Sequence, residues 1–227
     1  MADNSVMHSL YIGEKLNGAL NSVGLPAIPD HILMSFVVTG ILVTLGVVTR
    51  RNLRYIPSGI QNVMETAFEF LEGLLISMIG PKGPRYFPVI ATLALFILTG
   101  NLLGLVPFMG SPTANINVTL GCAMFIFCYY HIQGVKEQGW KSYLKHFTGP
   151  SIYLAPLFFP LEIISHFSRV MSLSIRLCGN IMGEDIIIII LFIMSPWFLP
   201  IPVPMMMFAI FTCCLQTFIF IMLSMVY

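Results

Sequence analysis

Between Pro160 and Pro196 the sequence runs for 35 residues, 161–195, that end in the apolar run Ile186–Met194 yet also hold Glu162, His166, Arg169, Arg176, Asn180, Glu184 and Asp185. As continuous helix that is ~52 Å at ~1.5 Å per residue. A hydrocarbon core is only ~30 Å thick, so such a helix fits inside it only at a tilt of roughly 55°, against a usual ~20°. The segment is therefore expected either to break near Gly179 or Gly183 or to lie very obliquely. Pro196, Pro200, Pro202 and Pro204 then turn the chain into a last apolar helix that runs back beside it. An oblique hairpin of this kind suggests a wall shaped to fit something curved.

The rest of the chain supports a lipid setting. Hydrophobic residues make up 57% of the 227 positions and charged ones 9%, far below the roughly 25% charged of a soluble domain. The reading is an all-α integral membrane protein, one membrane domain over 1–227, in contact with the lipid bilayer. Five crossings are expected at 31–49, 86–107, 117–135, 161–195 and 203–227, with 1–30 as an outer N-terminal segment. That segment has neither a basic start nor an early apolar run, so no cleaved leader is expected. A sixth segment, 58–79, differs. Ile60, Val63, Met64, Ala67, Phe68, Leu71, Leu74, Leu75 and Met78 recur at helical spacing while Glu65, Glu69 and Glu72 fall on the other side, the pattern of an amphipathic surface helix. Ser58 and Gln61 are spaced as a capping box at its start.

Charge settles orientation and excludes whole classes of function. Arg50, Arg51, Arg54, Lys82, Arg85, Lys136, Lys141 and Lys145 lie after the first span, before the second and after the third, whereas 108–116 and 196–204 hold no charge. The positive-inside rule then puts the N-terminus outside and, after five crossings, the C-terminus in the cytoplasm. A net charge of +1 offers no basic surface for nucleic acid. Cys122, Cys128, Cys178, Cys213 and Cys214 form no CxxC pair and read as small hydrophobes, with no metal site or cofactor implied.

On a helical wheel Glu162, His166, Arg169, Arg176, Asn180 and Glu184 fall within an arc of roughly 80° and make a stripe ~33 Å long. Such residues can simply pair or snorkel and hold helices together. Arg176 argues for more. Its guanidinium cannot shed its proton, so at depth it needs an anionic partner or water. Glu184 lies ~12 Å further along the helix, and no other carboxylate of the chain sits at comparable depth. The missing anion is therefore expected from another subunit.

The stretch around Arg176, "SLSIRLCGN", closely resembles the signature of subunit a of the F-type ATP synthases. "GNLLGLVPFMGSPTANINVTLG" at 100–121, "IPSGIQNVMETAFEFLEG" at 56–73 and "LQTFIFIMLSMVY" at 215–227 resemble the same family. The resemblance implies a stator subunit against a rotating ring of c subunits, each with one membrane carboxylate. Two aqueous half-channels meet that ring at different points. Arg176 would lie between them, blocking the direct leak and coupling proton flow to rotation. It further implies that Asn180 and Glu184 line the outer path, and that Gln216 faces the arginine across the hairpin or acts as hydrogen-bonding glue. Asn115 and Asn117 would shape the outer entrance or merely form a turn. Glu162, His166, Arg169, Asp185 and Thr212 are candidate channel-lining residues. The peripheral stalk subunit b is expected near 58–79, and the "IPSGIQN" segment points to a bacterial inner membrane.

Two departures from the family pattern bear on the outer path. "IMGED" reads one residue shorter than in some relatives, which would rotate Glu184 by about 100°. Many relatives also place His or Glu two turns before the glutamine, where this chain has Ala209. Thr212 and Cys213 are the nearest substitutes, and Glu184 is expected to act with water, Asp185 or Asn180. The chief rival is a secondary transporter or self-contained channel using the same stripe, but such folds repeat internally and the stripe has no second copy. No GxxxxGK[ST], HExxH or GxSxG occurs, so an active site on this chain is not expected.

Overall fold

The structure is a computed structural model that describes residues 29–51, 59–106, 110–139, 155–194 and 202–226. Among these, every regular element is helical: α1 (Asp30–Arg51), α2 (Ile60–Ile79), α3 (Phe87–Gly104), α4 (Ile116–Gln138), α5 (Ala155–Met194) and α6 (Pro202–Val226), with one-turn helices at Gly83–Arg85 and Pro112–Ala114. Residues 1–28, Ser58, Arg54, Lys141, Lys145 and the turn at Pro196 and Pro200 lie outside the described residues.

α1, α3, α4 and α6 are each long and apolar enough to cross a membrane. The segment 161–195, expected as a fifth crossing, is not among them. It forms most of α5, whose described residues include Glu162, Arg169, Arg176, Glu184 and Asp185. α5 is 40 residues long, or ~60 Å. It does not break at Gly179 or Gly183, because its helical hydrogen bonding continues through both. It also begins six residues earlier than expected, with Pro160 inside. Proline has no N–H to bond the carbonyl four residues back, so at this sixth helical position α5 gives up one backbone hydrogen bond.

α5 and α6 run antiparallel: Asn180 meets Gln216 while Glu184, one turn on, meets Cys213. The main core lies where α3, α4, α5 and α6 converge, around Ile97, Ala123, Leu177, Ile181, Cys213 and Phe220. Burial of such side chains stabilises the helix packing through close contact, since lipid tails are themselves apolar. A second cluster joins Leu71 and Leu75 of α2 to Ile90, Ala94, Ile221 and Met225. It places α2, the start of α3 and the end of α6 at one end of the bundle. The end of α4 is there too: Glu137 accepts from the Tyr86 hydroxyl at 3.3 Å and pairs with Lys82 at 3.7 Å. At the opposite end His31 of α1 meets Asn115 at 3.4 Å.

α2 opens at a glycine and packs along one side. Its N-cap is Gly59 at φ 61°, with no side-chain cap, and Gln61 donates to Glu65 at 2.8 Å. A positive φ costs glycine little, and Ser58, the other half of the expected capping box, lies outside the described residues. Its apolar face is also narrower than the spacing suggests. Val63 is 64% exposed and Met78 43%, while Leu71 and Leu75, with Phe68, Leu74 and Ile79 partly buried beside them, pack against α3 and α6.

Candidate functional site: a polar stripe along the longest helix

The stripe is not uniform. Towards its start, Glu162, His166 and Arg169 are half-buried. His166 Nε2 lies 3.3 Å from Glu162 Oε1, and its Nδ1 lies 2.7 Å from the Tyr130 hydroxyl on α4. The ring of His131 stands 5.0 Å from that of His166. These groups satisfy one another across the α4–α5 contact.

Further along, the pattern reverses. Arg176 is exposed, and no carboxylate pairs with it among the described residues. Asn180, also exposed, donates from Nδ2 to Gln216 Oε1 at 2.8 Å. Gln216 itself is buried, and this bond joins the two arms of the hairpin one turn beyond Arg176. Glu184 is 8% exposed. The Cys213 thiol lies 3.8 Å from its Oε2, and its Oε1 has no hydrogen-bond partner among the described residues. Of the two substitutes expected for the absent group at Ala209, Cys213 is the one that reaches Glu184. The Thr212 hydroxyl bonds back to its own helix at Phe208 and Ala209. Ala209 is itself fully buried. Asp185 is half-buried beside Glu184.

In the loop before α4, Asn115 caps the helix by accepting from the Asn117 backbone N–H at 2.9 Å. That is the turn-forming role of an asparagine. Asn117 carries an exposed side chain.

A second buried polar group escaped sequence reasoning. Thr113 donates to Asn101 Oδ1 at 2.6 Å and meets Ser111 at 2.6 Å, while Ser111 donates to the Gly100 carbonyl at 3.1 Å. Thr119 of α4 meets Ser174 of α5 at 3.0 Å, and the Cys178 thiol donates to the Ala114 carbonyl at 3.0 Å. The turn can approach α3 because Gly104 lacks a side chain: a Cβ there would stand 2.5 Å from Ser111 Cβ. The available signal was the presence of Asn101 and Thr119 inside apolar spans, where a polar group is retained only if bonded.

The comparisons agree with the motif reading. Residues 32–227 match the family model described as "ATP synthase A chain". Similar proteins include "ATP synthase subunit a" of Geotalea uraniireducens, 42% identical over 198 residues, covering 87% of this chain and 85% of that one. "ATP synthase subunit a" of Desulfosudis oleivorans is 44% identical over 197 residues, covering 87% and 85%. "ATP synthase subunit a 2" of Syntrophotalea carbinolica is 43% identical over 198 residues, covering 87% and 83%. With a family match over most of its length and relatives above 40% identity, this chain belongs to the ATP synthase A chain family, the proton-translocating membrane subunit of the enzyme's Fo sector.

Proposed function

We propose that this chain is the stator of a rotary proton channel in a bacterial inner membrane, with its N-terminus outside and its C-terminus in the cytoplasm. The observation that supports this most is the isolation of Arg176, an exposed guanidinium on the longest helix with no ion pair among the described residues. A permanent cation in a membrane segment is too costly to be idle. A c-subunit carboxylate passing on a rotating ring would supply its partner. An opposite charge within ~4–6 Å favours the ionised carboxylate, whereas lipid favours the neutral acid. Protons would then load and leave at different points of the ring. A membrane potential worth ~2.3 kcal/mol per charge per 100 mV is thereby converted to rotation.

In this reading α5 and α6 form a strongly tilted hairpin against the ring, α5 being the fifth crossing. Asn180, held by Gln216, and Glu184, with one carboxylate oxygen open, carry protons on the outer path together with Asp185. Asn115 and Asn117 stand at its entrance, and Thr212 lines it from α6. Glu162, His166 and Arg169 belong to the cytoplasmic path. The exposed acidic face of α2 accepts the peripheral stalk subunit b. Nucleotide chemistry resides on other chains. Family membership supports this reading over a self-contained transporter or channel.

The test is Arg176→Ala in membrane vesicles carrying the assembled enzyme. ATP-driven proton pumping is expected to fall to background while the detached catalytic sector still hydrolyses ATP. Normal pumping would overturn the assignment.

A further inference from the structure

The bundle end that holds α2, the start of α3 and the ends of α4 and α6 contains a cavity of about 300 Å³. That volume has room for several waters. Its lining includes Tyr129, Tyr130, Gln133, Glu137 and Ser224 among apolar side chains. The Gln133 Oε1 is buried with no hydrogen-bond partner among the described residues. A buried acceptor left open beside a cavity of this size is the usual setting for ordered water. At the edge of the cavity, Tyr130 also holds His166, and His166 holds Glu162.

We propose that protons pass between the stripe and this cavity through the chain Glu162–His166–Tyr130, so that the cytoplasmic path runs inward across α4 as well as along the surface of α5. The inference rests on the proposed function and adds a route and a residue, Tyr130, that the stripe does not contain. The two links, 3.3 Å and 2.7 Å, are at or near the reach of direct proton transfer. Protonated Glu162 gives its proton to His166 Nε2. The imidazole releases the Nδ1 proton to the Tyr130 oxygen, and the phenol passes its own proton to cavity water. Each group accepts one proton and gives up one, and no electrons move. The imidazole ends in its other tautomer and resets by rotation of the ring before the next transfer. Chains of carboxylate and histidine serve as such relays in membrane pumps.

The experiment compares Tyr130→Phe, His166→Gln and their combination with the parent enzyme in sealed vesicles, reading ATP-driven pumping in H₂O and in D₂O. Each single variant is expected to slow pumping by about tenfold, less than the ~100-fold typical of losing a direct proton-transfer group, because the surface route persists. The double variant should be no slower than the slower single one, and the solvent isotope effect should change in all three. A purely structural role would leave that isotope effect unmoved. Tyr130→Phe removes one oxygen and keeps the ring, so it stands as the test if His166→Gln fails to assemble. Unchanged pumping and isotope effect in assembled Tyr130→Phe overturn the relay. Arg176→Ala, assayed beside it, separates the two ideas: lost pumping there with a normal Tyr130→Phe enzyme rejects only the relay.

Discussion

The two halves of the α5 stripe solve the same problem in opposite ways. From Glu162 to Arg169 the polar groups find partners within the chain, as in the linked Glu162, His166 and Tyr130. From Arg176 to Glu184 they do so only in part. Asn180 and Gln216 satisfy each other, but Arg176 has no ion pair among the described residues and Glu184 Oε1 accepts no hydrogen bond. A protein interior tolerates a polar group that is bonded and penalises one that is not. Open valences concentrated in one half of a helix mark where something outside the chain completes the site. In the proposed function the paired half shapes a path and the unpaired half awaits a partner.

Substitutions can break or sharpen that contrast. The largest effect is expected at Arg176, where Arg176→Ala takes pumping to background, whereas Glu162→Gln on the paired half only slows it. Next comes Glu184→Gln, which should reduce proton entry from the outside by roughly 100-fold, as expected of a positioned proton-transfer group. An unchanged rate in potential-driven synthesis assays would move the outer relay elsewhere. Gly104→Ala should be felt as lost stability, by about 1–3 kcal/mol for overpacking, since its Cβ would meet Ser111. Thermal unfolding in detergent measures it, and an unshifted midpoint would show that the turn has room to move. The smallest effect is expected at the Asn180–Gln216 pair. Asn180→Ala and Gln216→Ala should each cost about 1 kcal/mol of the interaction, a several-fold loss of rate, and should not add when combined. Additive losses would mean that the two residues act independently of their hydrogen bond.

The stripe and the segments that became α1 to α6 were legible because helical periodicity and runs of apolar residues are local properties of the chain. Arg176 stood out for the same reason, as a permanent charge without a carboxylate at its depth. What was not legible depends on neighbours in space. The unbroken course of α5 through Gly179 and Gly183 could not be read from two glycines that interrupt nothing. The choice of Cys213 over Thr212 as the group at Glu184 depends on the rotation of α6, and the pairing of Gln216 with Asn180 on the register of the hairpin. The contact between Thr119 and Ser174 joins residues 55 positions apart.

The central claim is that the partner of Arg176 is a carboxylate on a neighbouring subunit. It is tested most directly by a cysteine placed beside Arg176 on the exposed face of α5, paired with a second beside the carboxylate of the c-subunit helix, and oxidised in the fully assembled enzyme. A cross-link between the two chains in high yield, with rotation blocked by it and restored by reduction, is the expected result. No cross-link in an assembled, pumping complex would contradict the claim.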